Sequence, residues 1–309
     1  MKIQAVAQGS STRGLLSIVL AAVLWGTVGV AIKALYGLAD TNPLSIGFFR
    51  LAIAVPALFW ACWLTLGVRM FRVAWRDLAL MLLLGAMMAL YQVCYFGAIA
   101  QVGVAIAVLV TLCIAPVVVA LLSLWLFREK LTLRLILALT FALSGTALFV
   151  DFQPHGGAQG NAVLGVLLAL GSAFGYAVVT LCSRTLARRY HPLQSLTIGL
   201  GAGAMILLPF AIANGFVINY PVVGWVLLLY LGLVPTVLAY VLFLSGMRYT
   251  TATVASITTL LEPMTSTLLA WLFFKEQLSL LGLLGGILLL GAIVLLFTGS
   301  QKDCLPTRG

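Results

Sequence analysis

Glu262 falls midway along a long apolar run, with Thr258 and Thr259 four and three positions before it and Thr265 and Ser266 three and four after. On a helix that spacing gathers the hydroxyls on the carboxylate's face as a polar stripe. Pro263 follows directly, and its missing N–H leaves the Thr259 carbonyl without a helical partner, which adds an acceptor to the stripe. A carboxyl so placed can pair with a ligand ammonium, carry a proton, or stay hydrogen-bonded as a strut between helices. Arg50, seven residues beyond Pro43, sits about 10 Å into another apolar run. Its guanidinium can take a ligand carboxylate, or snorkel to an interface and serve the fold. Lys33 closes the first apolar run, as a solvated interfacial lysine or as a cation at an exit.

The second set is aromatic and amide. Tyr91 and Tyr95 are four apart on one helical face, with Gln92 beside them and Gln101 beyond. Trp25, Tyr176 and Tyr240 lie well inside other apolar runs, and Phe174 holds the position that corresponds to Trp25 in the second half of the chain. Tryptophan and tyrosine at a membrane surface form belts, where Trp75, Tyr220 and Trp225 belong, so tyrosines in mid-run need another partner for their hydroxyls. A cavity wall supplies one, and so does a backbone carbonyl between packed helices.

Other chemistry is thinly represented. Five cysteines, at 62, 94, 113, 182 and 304, show no metal-ligand spacing and read as small buried hydrophobes, and His155 and His191 fall in loops on opposite sides of the chain's map. No phosphate loop, HExxH or GxSxG motif occurs. No metal, no cofactor and no enzymatic nucleophile is therefore expected.

The elements that must position these residues follow from composition. Of 309 residues, 63% are hydrophobic and 8% charged, against about 45–50% and 25% in a soluble domain. The expectation is an all-α integral membrane protein. Ten runs are long enough to cross about 30 Å of hydrocarbon: 14–35, 43–66, 76–97, 103–127, 131–150, 161–186, 192–213, 223–246, 250–274 and 278–298. The formal charge of +10 would suit nucleic acid in a soluble protein, but here it becomes an orientation signal. With residues 1–13 and 299–309 as cytoplasmic tails, 14 of the 17 Lys and Arg residues fall in inner loops and tails. The first run is too long for a signal peptide.

The chain also repeats itself. At a shift of 147, Gly85 meets Gly232, Phe96 meets Phe243, Pro116 meets Pro263 and Glu129 meets Glu276, whereas Ala115 stands where Glu262 does. The paired prolines predict paired helix kinks, and the lone carboxylate predicts a specialised role. Residues 14–150 and 161–298, joined by an outer linker at 151–160, form two five-helix units. An odd number of spans forces the second unit to enter from the opposite side, so the repeat is inverted, which is the architecture of secondary transporters with a midplane site. Glycine pairs such as Gly199/Gly203 and Gly282/Gly286 suit close packing, within one chain or at a homodimer contact.

Trp25-Gly26, Arg50-Leu51, the run Leu126-Phe127-Arg128-Glu129-Lys130-Leu131-Thr132 and its partner Glu262-Pro263 through Phe274-Lys275-Glu276-Gln277-Leu278-Ser279 carry a resemblance. Over about residues 14–298 the chain is similar to the drug/metabolite transporter superfamily, and within it to EamA-type bacterial exporters of aromatic and neutral amino acids of the YddG kind. The resemblance implies ten helices in two inverted units, a central cavity, and efflux of a small molecule across the bacterial inner membrane. Drug transport, or nucleotide-sugar and organophosphate exchange, is carried by the same fold. A phosphate dianion wants two cations at the midplane and only Arg50 is available at depth. A non-transporting scaffold or sensor is the reading from another class, and solute flux separates the two.

Overall fold

In lipid every backbone polar group must be paired within the chain, so runs this apolar fold as helices. The computed structural model describes residues 2–129, 132–149, 161–274 and 280–302. Those residues form α1 (Lys2–Tyr36), α2 (Pro43–Leu66), α3 (Trp75–Leu126), α4 (Leu133–Phe149), α5 (Ala162–Ala187), α6 (Pro192–Ala213), α7 (Val222–Gly232), α8 (Ala239–Met247), α9 (Ala252–Thr258), α10 (Leu261–Phe274) and α11 (Leu280–Lys302). A 3₁₀ turn, Gly67–Phe71, follows α2, and a π turn, Leu233–Leu238, joins α7 to α8. The outer linker at 151–160, the end of the chain from 303, Lys130, Leu131, Lys275–Ser279, His155 and Cys304 lie outside the described residues.

Among the described residues, eight segments are long and apolar enough to cross a bilayer, and Leu133–Leu148 is a shorter apolar helix. Two of the eight lie within α3, which breaks at Gly103 (φ 80°, ψ 168°). The run expected as a single span at 250–274 is divided at Thr259–Leu260. Pro263 explains the division. It cannot donate to the Thr259 carbonyl, and Glu262 N does so instead at 3.0 Å, so the free acceptor expected from the sequence is already paired. Pro263 then sits in the first turn of α10, where a missing N–H costs nothing. Pro116 behaves differently: it is buried inside α3, whose non-helical residue is Gly103. The two prolines therefore share a position in the repeat but not a local geometry. Residues 2–13, expected as a tail, continue α1.

Helix α3 packs against α5 and α6, α2 against α6 and α7, α1 against α8 and α10, and α4 against α11. The main core runs through Ile18, Leu58, Met81, Leu84, Leu200 and Phe243. The two ends of the bundle are tied by different chemistry. At the end holding the α2–α3, α5–α6 and α8–α9 connections, Asp77 pairs with Arg189 at 2.6 Å and accepts from the Tyr190 hydroxyl at 2.9 Å. Gln194 donates there to the Met70 carbonyl at 2.8 Å, and Arg248 to the Ala187 carbonyl at 2.8 Å. His191 caps α6 through Nδ1, and burial, with Arg248 nearby, holds its imidazole below the ordinary value, so that nitrogen is free to accept at neutral pH. At the opposite end Phe49 packs on Phe216, Tyr220 and Trp225 with ring centroids 5.4, 5.9 and 5.2 Å away.

Glu129, from the repeated signature, also has a structural position. Arg128 takes a left-handed turn (φ 53°), after which the Glu129 carboxylate accepts from Ala252 N at 3.1 Å and Thr253 Oγ1 at 2.9 Å. It caps α9 from another part of the chain, where a helix N-terminus favours negative charge. Glu129→Ala is expected to destabilise the protein by about 1–2 kcal/mol, measured as a lower thermal midpoint of the purified protein. An unchanged midpoint would show that the cap carries no stability.

Candidate functional site

The break between α9 and α10 places Glu262 in the first turn of α10. Helix α1 lies directly against it, because a Cβ on Gly26 would come 2.9 Å from the Glu262 carbonyl oxygen and would press on Thr265. A Cβ on Gly29 would likewise meet Ser266. Thr265 and Ser266 therefore face α1, and the hydroxyl of Thr265 is returned to the Leu261 carbonyl at 3.0 Å. Thr258 is fully buried and donates to the Val254 carbonyl at 2.8 Å. Of the stripe expected around Glu262, Thr259 is the member whose hydroxyl is bonded to a side chain of another helix. It accepts from the Tyr176 hydroxyl at 3.0 Å while donating to the Ser256 carbonyl.

Tyr176 joins an aromatic wall. Tyr91 and Tyr95 stack at 6.1 Å with 24° between their planes, and Tyr176 lies 5.8 Å from Tyr91 at 54°. Glu262 is within electrostatic reach of Tyr91, Tyr95, Tyr176, Tyr240 and Arg50. Helices α2, α3, α5, α8 and α10 thus deliver their polar groups to one place. Arg50, Tyr91, Tyr95, Tyr176 and Glu262 are each half-buried, and Tyr91 also packs against the main core.

The remaining sequence candidates divide. Tyr240 is buried, its ring 4.9 Å from Trp25, and its hydroxyl donates to the Met88 sulfur at 3.4 Å, a weak acceptor for a phenol. Trp25 is 6% exposed and packs on Phe243 at 5.2 Å, with an indole N–H that is buried without a partner among the described residues. Phe174, its counterpart in the repeat, is 49% exposed on the outside of α5. The repeat preserves the position but not the face. Gln92 is buried against Gly47. Gln101 accepts from Asn161 N at 2.9 Å, at the start of α5. Lys33 is exposed in the last turn of α1. Cys62, Cys94, Cys113 and Cys182 are free thiols, and no group of metal-ligating residues occurs among the described residues.

Two adjacent residues were not found by sequence reasoning. Pro235 lacks the N–H that would bond the Leu231 carbonyl, and the chain widens there into the π turn. Thr236 Oγ1 donates to that orphaned carbonyl at 2.7 Å, and Arg50 Nε donates to Thr236 Oγ1 at 3.4 Å. Gly232, just before the turn, permits the approach, since a Cβ there would lie 2.6 Å from Ile53 Cγ2 on α2. The signal in the sequence was Pro-Thr inside a span, but its meaning depends on an arginine 186 positions away.

A family model described as the EamA-like transporter family matches residues 12–151 and 163–298. The chain is 32% identical over 279 residues to an uncharacterized transporter of Archaeoglobus fulgidus, covering 90% of this chain and 94% of that one. It is 30% identical over 285 residues to a probable terminal-alkyne amino-acid exporter of Streptantibioticus cattleyicolor, covering 91% and 92%. To the pseudopaline exporter CntI of Pseudomonas aeruginosa it is 27% identical over 283 residues, covering 92% and 95%. A solved crystal structure shares the fold with a TM-score of 0.80 at 22% identity, covering 94% of this chain and 99% of that one.

Proposed function

We propose that this chain, which belongs to the EamA-like transporter family, is a secondary transporter that exports small zwitterionic metabolites by alternating access, amino acids with aromatic or neutral side chains foremost. The observation that carries the substrate class is the setting of Glu262, a carboxylate within electrostatic reach of four tyrosines inside the bundle. An ammonium is drawn to a carboxylate in such surroundings, and tyrosine faces accept both a cation and an apolar side chain. A relative named as an amino-acid exporter supports the same class.

The transport cycle follows from an inverted repeat of ten spans. In that count α3 supplies two spans, α7 with α8 one, α9 with α10 one interrupted span, and α4 a short one. Exchange of the two halves supports it: α3 against α5 becomes α8 against α1, and α3 against α6 becomes α7 and the π turn against α2, while α2–α6 and α4–α11 map onto themselves. Gly85 and Gly232, equivalent in the repeat, each sit at a close helix contact, with α6 and α2 respectively. Two near-equivalent packings supply inward-open and outward-open states around one fixed site. Both termini face the cytoplasm, on the side of the basic connections. The ligand's ammonium binds Glu262, and its side chain lies along Tyr91, Tyr95 and Tyr176.

Purified protein in proteoliposomes is expected to give saturable counterflow of at least one labelled apolar or aromatic amino acid, with sugars and simple quaternary amines as controls. No saturable counterflow of any amino acid would overturn the assignment.

A further inference from the structure

Given the export of zwitterions proposed above, on which this rests, we infer that the π turn between α7 and α8 builds a carboxylate subsite, in which Thr236 is a positioning residue and Arg50 the group that binds the ligand. The chain of contacts runs outward from the backbone. Pro235 orphans the Leu231 carbonyl, and Thr236 Oγ1 spends its only proton there, at 2.7 Å. The lone pairs of that oxygen are left to face Arg50, whose Nε donates to it at 3.4 Å. Among the described residues no protein group takes up Arg50 Nη1 or Nη2. The guanidinium is thus held by its inner nitrogen, with its outer fork open, which is the arrangement that receives a carboxylate in a bidentate pair.

Arg50 is within electrostatic reach of Glu262, Tyr91 and Tyr240, so its fork and the carboxylate that takes the ammonium serve one site. Two opposite charges on different helices, Arg50 on α2 and Glu262 on α10, then read the two ends of a zwitterion. A ligand with only an ammonium satisfies one of them and leaves the guanidinium unpaired, which is costly in a water-poor interior. The substrate class narrows to compounds carrying a free carboxylate as well as an ammonium. A Thr hydroxyl that fixes one rotamer of a long side chain reduces the ordering that the ligand must otherwise impose.

The test compares an amino acid with the amino alcohol in which its carboxylate is replaced by hydroxymethyl, each as a competitor of labelled amino-acid counterflow. Thr236→Val is expected to raise the half-saturation concentration for the amino acid about tenfold and to leave inhibition by the amino alcohol unchanged. Thr236→Ser, which keeps the hydroxyl, is expected to restore wild-type behaviour, and Arg50→Gln to abolish discrimination between the two compounds. Equal effects of Thr236→Val on both compounds, or no effect on the amino acid, would overturn the subsite while export stands. Wild-type protein that moves no amino acid would remove the exporter function and the subsite with it. Size-exclusion profiles of the three variants separate a binding defect from misfolding.

Discussion

Glu262→Gln is expected to lower amino-acid flux in proteoliposomes by about 30-fold or more while leaving the protein folded. Glutamine keeps the shape and the hydrogen-bonding capacity of the side chain, so the first turn of α10, where Glu262 N donates to the Thr259 carbonyl, is undisturbed. What disappears is the charge. A ligand ammonium drawn to the site would face Tyr91, Tyr95 and Tyr176 with no anion to pair with, and leaving one member of such a pair unmatched costs about 2–5 kcal/mol, equivalent to roughly 30- to 5000-fold in affinity. Glu262→Asp is expected to recover part of the flux, because the charge returns on a shorter arm. If flux is driven by protons, the Gln variant also loses its dependence on pH. Unchanged flux together with a lower thermal midpoint would mark Glu262 as a strut between helices and remove it from transport.

The largest effect on folding is expected at Gly85. A Cβ at that position would overlap the Gly199 carbonyl oxygen and come 2.8 Å from Gly203 N and 2.9 Å from Ala202 Cβ. Two of these three neighbours are backbone of α6, which cannot turn aside as a side chain can. Gly85→Val forces α3 away from α6 along a core that includes Met81 and Leu84, at a cost on the order of 3 kcal/mol or more. A large fraction of a typical protein's stability is lost at that cost. The expected readout is little or no monodisperse protein after extraction, with Gly85→Ala intermediate. Gly201→Ala is the matched control on the facing helix, because its Cβ would touch only Val55 Cγ2 at 4.0 Å. A well-behaved Gly85→Val protein, or equal damage from Gly201→Ala, would refute the close contact.

The sequence announced those parts of the site that depend on residue type along one helix. A carboxylate and mid-run tyrosines are conspicuous in apolar surroundings, and Tyr91 and Tyr95 at i, i+4 stack as that spacing requires. It was silent where the outcome depends on a second segment. Thr258 and Thr259 are indistinguishable in one dimension, but the break at Thr259–Leu260 turns Thr259 toward Tyr176 and leaves Thr258 bonded to its own helix. The repeat aligned Phe174 with Trp25, yet helix rotation relative to the bundle exposes one and buries the other. Proline was read as a kink wherever it recurred. In fact Pro263 opens a helix, Pro116 lies within one, and Pro235, which the repeat did not flag, is the proline that reshapes the backbone beside Arg50.

The two ends of the bundle, one tied by Asp77, Arg189, Tyr190 and Arg248 and the other by rings from Phe49 to Trp225, answer to different variables. Parting the first breaks charge-assisted bonds, partly exposed, which dissolved salt weakens within a screening length of about 8–10 Å. Parting the second hydrates aromatic surface, and that raises heat capacity and makes its free energy curve with temperature. In the cycle proposed above, ionic strength therefore biases one end and temperature the other, two independent dials on which way the chain faces.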